Sequence, residues 1–465
     1  MAPTGGCNRA LSDARHARRL TQAQLAERVS ARLGIDPPLD ANYVSKLERG
    51  VHTWPNSDYR RAFREELDTE TDAELGFHCS RSFSENENTR PEDVTDRAKY
   101  DRVLAASWDH RGSVEAAVVL SSGDHPVERR RFAFLEGGDL TAAAHQWLIQ
   151  DPEPLVSGLS GGRVSTLLAD QLLTMIKTLR MMDDAAGGGI VLPLARQAFG
   201  WVSGLLDQAS YDEHTGRRFH VALAELGQLT GWVAHDAGLP GMGQHYHIAA
   251  LHAAHSADDR QLGAHILACM ADQAARHGQP AEAVTLIETA VVGVRGRATP
   301  RLLAELHIRK AYALATLEDG PACTAAVSKA RTEVERFESD SDPLWLYWVS
   351  PAEITAGAGD CLLQLGQSHQ ATALLDEGIA MFDESFARDQ QIYLTHLADA
   401  LARPGKQRDL DAAADRGLAA VQLAESLAST RGIDCLRELY ARMQPHAPVP
   451  AVRDFLQRAR EVLAA

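Results

Sequence analysis

Material for strands, sulfur chemistry and membrane spans is scarce in this sequence. Aromatic residues make up only 6 % of 465, and no stretch longer than a few residues alternates apolar and polar with period two, which excludes a sheet-based core. The six cysteines (Cys7, Cys79, Cys269, Cys323, Cys361, Cys435) form no close pair. That spacing makes neither a zinc knuckle nor a disulfide framework and suits a reducing cytoplasm. No run of ~18 apolar residues is present, so no membrane span is expected. The opening Met-Ala-Pro-Thr-Gly-Gly-Cys has no basic-then-apolar leader. No Ser/His/Asp, Cys/His or paired-carboxylate spacing points to catalysis, and no Gly-Lys-Ser/Thr follows Gly187–Gly189, which reads as a flexible link. The expectation is a cytoplasmic protein that is not an enzyme and carries no cofactor and no metal.

What remains is helix. Apolar residues reach 45 %, charged residues 24 %, and alanine is abundant. At ~150 residues per domain the length calls for more than one core. Net charge is −16 but uneven: residues 1–64 hold 11 Lys and Arg against 6 Asp and Glu, while 65–465 hold 36 against 57. A basic head on an acidic body is the asymmetry of a chain whose head alone meets phosphates.

The head reads as short helices: Asn8–Arg19, then one opened by a Thr21/Gln24 capping box and running to Leu33, then one capped by Asp40 and ended by Gly50. Ser57 caps a fourth through Leu67, and a short turn at Thr71–Leu75 closes the unit near Phe77. Residues 79–98 are a linker, beginning with a stretch rich in Ser, Glu and Asn.

Two blocks in the head, Leu20-Thr21-Gln22-Ala23-Gln24-Leu25-Ala26 and Tyr43-Val44-Ser45-Lys46-Leu47-Glu48-Arg49-Gly50, resemble the phage-repressor-like, or XRE, helix-turn-helix family. The resemblance covers Asn8 to Phe77 and implies a five-helix DNA-binding bundle over 1–78. It implies base contacts from Ala41, Asn42, Ser45 and Lys46, with Val44 and Leu47 on the rear face of the recognition helix. Gln22 matches a phosphate-contacting position, and Arg18, Arg19, Arg49 and His52 are further phosphate candidates. Arg15 and Glu48 match a pair that the family uses as an internal salt bridge. The sequence departs from the family in the longer turn Ile35-Asp36-Pro37-Pro38-Leu39 and in placing Asp40 near the DNA backbone.

Residues 99–465 read as successive amphipathic helices, including Val164–Met182, Leu192–Gln208, Arg217–Asp236, Gln244–Ser256, Gln261–His277 and Ala281–Val294. Gly238, Gly278, Gly320 and Gly366, at intervals of 40, 42 and 46, each precede an Ala-rich helix, with the Gly320 unit fitting loosely. The offsets resemble the tetratricopeptide pattern and imply an all-α fold: the helix-turn-helix bundle followed by an α-solenoid of such helix pairs. In that register Glu225, Gln228, Trp232, His235, His265, Asp272, Arg276, His307 and Lys310 face a concave surface suited to a peptide or polar small molecule. The histidines around His252 and His255 read as surface or groove residues, and Trp345, Tyr347 and Trp348 as packing between repeats.

The expected function is a sequence-specific transcriptional regulator: a homodimer on a palindromic double-stranded DNA operator, with a body that senses an effector or dimerises. The alternative is a protein-interaction scaffold, or an antitoxin-like module binding DNA only within a complex.

Overall fold

The computed structural model describes residues 8–33, 39–49, 57–69, 73–75, 77, 102–121, 132, 134–152, 158–159, 162–337, 342–406 and 408–464. The chain divides into Met1–Pro91 and Glu92–Ala465, a boundary that falls inside the polar 79–98 stretch.

In the first unit, α1 (Arg9–Ala17), α2 (Gln22–Leu33), α3 (Ala41–Glu48) and α4 (Ser57–Leu67) precede a 3₁₀ turn at Ala73–Leu75. Side chains close the helix starts. Asn8 Oδ1 accepts from the Leu11 N–H at 3.2 Å and Asp40 Oδ1 from the Tyr43 N–H at 2.8 Å. Thr21 and Gln24 satisfy each other, each accepting the other's backbone N–H at 3.2 and 2.9 Å. Such caps are each worth about 1 kcal/mol. Leu11, Leu25, Val29, Val44, Leu47 and Phe63 are wholly buried, and α2 packs against both α3 and α4. Ser30 Oγ donates to the Ala26 carbonyl and accepts from the Leu39 N–H, both at 2.7 Å, which ties the entry to α3 back onto α2.

The second unit runs α5 (His110–Ser121), α6 (Gly137–Ile149), α7 (Thr166–Ala186), α8 (Gly188–Gln208), α9 (Glu213–Asp236), α10 (Pro240–Ser256), α11 (Arg260–Arg276) and α12 (Pro280–Gly293). It continues through α13 (Pro300–Thr316), α14 (Gly320–Val334), α15 (Pro351–Gln364), α16 (Ser368–Met381), α17 (Ala387–Ala402), α18 (Leu410–Ala424), α19 (Thr430–Met443) and α20 (Pro450–Ala464). The strands among the described residues are two-residue pieces, β1 (Gly158–Leu159) antiparallel to β2 (Ser210–Tyr211). The fold is all-α.

From α9 onward each odd-numbered helix packs on its successor, and the odd-numbered helices also touch in series from α9 to α19. The series then returns on itself: α17 meets α7, and α19 meets α9. Turn chemistry sets the pairing. Gly238, Gly278 and Gly366 take φ of +76°, +78° and +74°, the left-handed conformation that ends a helix at least cost in glycine. Pro240 and Pro280 then open the next helices. The third turn corrects the glycine register, because Glu318 takes the left-handed position at +61° and Gly320 already begins α14. The loose fit around Gly320 follows from that offset of two residues.

The Gly187–Gly189 run is a packing point, not the flexible link expected. A Cβ on Gly188 would lie 2.6 Å from the Val233 carbonyl oxygen, and on Gly189 2.9 Å from that of Ala428. The Gly188 N–H donates to Asp236 Oδ2 at 2.9 Å, and the Gly189 N–H to the Ala428 carbonyl at 2.9 Å. By length and mean hydropathy (1.2), α8 alone among the described helices would suffice to cross a membrane. Arg196 and Asp207 interrupt its apolar run, and Val191, Ala195, Phe199 and Val202 bury its inner face in the core. Cys269, Cys323, Cys361 and Cys435 are free thiols, and folding makes Cys323 and Cys361 electrostatic neighbours that their separation in sequence concealed.

Candidate functional site

Helix α3 has two faces. Val44, Leu47 and Glu48 are buried, whereas Asn42 is exposed and Ala41, Ser45 and Lys46 are partly so. Residues at i, i+1, i+4 and i+5 share one side of a helix, so the exposed set forms a short continuous strip. Among the described residues the side chains of Asn42, Ser45 and Lys46 have no hydrogen-bond or ion-pair partner. The opposite side is fixed. Arg15 Nε lies 2.6 Å from Glu48 Oε1 and Nη2 lies 3.1 Å from Oε2, while Arg15 Nη1 donates to the Leu20 carbonyl at 2.8 Å. Burial works against the Glu48 charge, but the hydrogen bonds from Arg15 and Gln22 prevail and hold its carboxyl below the usual range.

Gln22, expected at a phosphate, donates instead to Glu48 Oε2 at 2.6 Å, so its amide belongs to the same network. Arg18 is exposed and pairs with Asp68 at 2.8 Å. Arg19 is exposed with φ of +57°, and exposed Arg49 donates to the Ser45 carbonyl at 3.3 Å. His52 and the 35–38 part of the lengthened turn lie outside the described residues. Asp40, a concern so near a phosphate backbone, is engaged as the α3 cap.

In the second unit, every odd-numbered helix from α7 to α19, together with the turn at Tyr347 and Trp348, lines one chamber with about 70 Å³ of open volume. A water needs roughly 10–15 Å³ on this measure, so the space admits a handful of waters or a small polar group as it stands. Its walls are charged. Buried Asp272 accepts from Arg276 Nε at 3.0 Å and from Arg309 Nη1 at 2.8 Å. Burial opposes that carboxylate, yet the two guanidinium groups hold its pKa far below the ordinary value. Arg388 bridges Asp183 and Asp184, lying 3.1 Å from the latter. Here burial wins: Asp184 is pushed up to about 7 despite Arg388, and Glu353, which accepts from the Tyr393 hydroxyl at 2.9 Å, also rises to about 7. The Trp232 ring is flanked by Arg431 at 5.0 Å, Arg309 at 5.6 Å and Arg388 at 5.8 Å. Arg180 Nε, Arg309 Nε, Arg431 Nη2 and Asp183 Oδ1 are buried without a hydrogen-bond partner.

A second cluster opens on the same space. His265 Nδ1 lies 2.8 and 3.0 Å from the two Glu305 oxygens, its Nε2 lies 3.9 Å from Cys269 Sγ, and Trp345 stacks on the ring at 4.7 Å. Burial disfavours the imidazolium, but Glu305 and the Cys269 sulfur outweigh it and raise the His265 pKa to about 10. Donor atoms of His265, Cys269 and Glu305 fall within 4.8 Å of one another, a spacing that suits a metal ion. The two ring nitrogens face different partners, however, so the set reads as a relay from carboxylate to imidazole to sulfur and not as ligands around one point.

Of the residues expected on the concave surface, Gln228, Trp232, His265 and Arg276 line the chamber. Asp272 and Glu225 stand behind it, the latter 3.6 Å from Arg180. His235 is buried against the edges of Trp232 and His277. His307 and Lys310 do not belong. On α13 the inward residues are Glu305 and Arg309, one turn apart, and Lys310 pairs outside with Glu288 at 2.8 Å. Burial and the nearby Lys329 and Lys310 push the His307 pKa down to about 4.

Sequence reading missed Arg180, Asp183 and Asp184 on α7, Arg388 on α17 and Arg431 on α19, because only closure of the series brings these helices together. A charged Asp183-Asp184 pair continuing the apolar spacing of Ile176 and Leu179 was the available signal. Tyr347 and Trp348 line the chamber as well as packing between helices. The histidines around His252 are core, not surface: His252 stacks on Trp108 at 3.9 Å, and burial lowers its pKa to about 4. No protein-family model and no curated protein matches this chain.

Proposed function

We propose that the protein is a sequence-specific DNA-binding transcriptional regulator, its first unit a helix-turn-helix bundle and its second a tetratricopeptide-like solenoid whose closed chamber takes an effector. The observation that carries the reading is the division of α3. Val44, Leu47 and the Arg15–Glu48–Gln22 network hold one side, leaving Asn42, Ser45 and Lys46 without a side-chain partner among the described residues on the other, in the basic part of an acidic chain. An asparagine presented this way can pair bidentately with adenine, and a lysine can donate to guanine or phosphate. Arg19 and Arg49 supply exposed positive charge at the flanks.

In this reading the chamber takes a small polar molecule in preference to an extended peptide, since its walls leave little room and present unsatisfied guanidinium donors. Two copies placed on a palindromic operator complete the scheme, and the effector acts by binding one arrangement of the dimer more tightly than another. The test is selection of DNA from a random pool by the full chain, followed by affinity across a salt series. The reading expects an enriched, two-fold symmetric sequence and affinity that falls steeply with salt. Absence of enrichment, with binding gained only beside a protein partner, would favour a scaffold or antitoxin-like role.

A further inference from the structure

We infer that Cys269 is a nucleophilic thiol that captures small conjugated carbonyl electrophiles inside the chamber. The argument rests on the chamber alone and is independent of DNA binding.

A cysteine is reactive where its surroundings favour the thiolate and where a reagent can arrive. Cys269 lines the chamber and has two polar groups aimed at its sulfur. Its sulfur faces His265 Nε2, and Glu305 behind the ring keeps that imidazole charged. A second donor is aimed at it as well: the Gln228 Nε2 lies 3.3 Å from the sulfur. The orientation of that amide is fixed, because its oxygen accepts from Arg180 Nη1 at 2.6 Å, leaving only the NH₂ to turn toward Cys269. Cys269 and His265 both line the chamber, whereas Cys323 and Cys361 are buried away from it. No other described cysteine lines the chamber with Cys269, which turns the chemistry away from a two-cysteine peroxide sensor.

The remaining walls name the electrophile class. Trp232 and Trp348 offer flat apolar faces, and Arg309, near both rings at 5.6 and 5.1 Å, has a buried Nε without a partner. A planar α,β-unsaturated carbonyl compound matches these groups, with its oxygen received by Arg309. The sulfur lone pair forms a C–S bond to the β-carbon, and the C=C π pair moves to the α-carbon as the enolate. The proton from His265 Nε2 then completes the α C–H bond, leaving neutral imidazole hydrogen-bonded to Glu305. Addition expels no leaving group and needs no oxidant.

The test treats the native full-length chain with limiting acrylamide and reads each cysteine by peptide mass mapping between pH 6 and 8. The ionisable groups facing the pair are Glu305 and Arg309 on α13, Glu225 on α9 and His247 on α10, the last held neutral across this range because burial lowers its pKa to about 3. Cys269 is expected to label about tenfold or more faster than Cys323 and Cys361. In Glu305→Gln the rate should fall about tenfold, because the imidazole that faces the sulfur loses its carboxylate partner. His265→Gln should do the same, and it keeps the test open should the first variant not fold. Cys269→Ser should abolish the chamber adduct. Labelling of Cys269 only after denaturation would overturn the inference, as would a labelling rate unchanged by either variant. Stoichiometric zinc in the isolated protein that is lost in Cys269→Ser would instead assign the cluster to a metal.

Discussion

Two buried arginine–carboxylate constellations, one in each unit, use the same chemistry to opposite ends. In the first unit Arg15 spends its donors on Glu48 and the Leu20 carbonyl, and Glu48 takes a further bond from Gln22. In the chamber the guanidinium groups of Arg180, Arg309 and Arg431 each keep a buried nitrogen that makes no hydrogen bond among the described residues, beside carboxyl groups that burial drives toward protonation. A saturated pair fixes geometry. An unsaturated array holds polarity in reserve, which is the feature on which the proposed effector site rests.

That contrast is sharpened most by Asp272→Asn. It leaves Arg276 and Arg309 buried without their shared anion, and loss of about 3–5 kcal/mol is expected in the urea unfolding of the second unit. Glu48→Gln should cost less, about 2–3 kcal/mol in the unfolding of the first unit, because Arg15 keeps its bond to the Leu20 carbonyl.

Dependence on pH separates the two regions by sign. The depressed Glu48 carboxyl contributes stability that is present above its ordinary pKa of 4.5 and is lost as pH falls through its lower folded value. Asp184 works the other way. The unfolded chain releases its proton near the ordinary 3.8 and the folded chain near 7, so stability declines across that window as pH rises. Asp184→Asn should therefore gain on the parent between pH 4 and 7, by at most about 1.4 kcal/mol per pH unit, in paired melts. Lys310→Ala anchors the low end of the series. Its partner Glu288 is exposed, and a change within about 0.5 kcal/mol is expected; a loss like that of Asp272→Asn would place Lys310 in the chamber after all.

The difference between local and closing contacts also explains what was legible in the sequence. Capping by Asn8, Thr21 with Gln24, and Asp40 is written within three residues of each helix start, and helices Thr166–Ala186 to Pro280–Gly293 follow from apolar periodicity. Gln228, Trp232 and His265 were reachable for the same reason, since one face of a helix repeats in a known way. Arg388 and Arg431 were not, because they join the chamber only when α17 and α19 swing back to α7 and α9, and no local pattern encodes that return. Glu318 shows a subtler failure: a non-glycine residue took the left-handed turn, so counting glycines shifted the register. The Cys269–His265–Glu305 relay spans two helices and forty positions, and only His265 and Cys269, one turn apart on α11, were visible as neighbours.

The most direct measurement compares Asn42→Ala with the parent on the selected operator and on a scrambled duplex of equal length and salt. The account predicts a loss of about 1–3 kcal/mol on the operator with little change on the scrambled duplex, as the proposed division between base reading by Asn42 and phosphate contact by the flanking arginines requires. Equal affinity of parent and variant for both duplexes would contradict it.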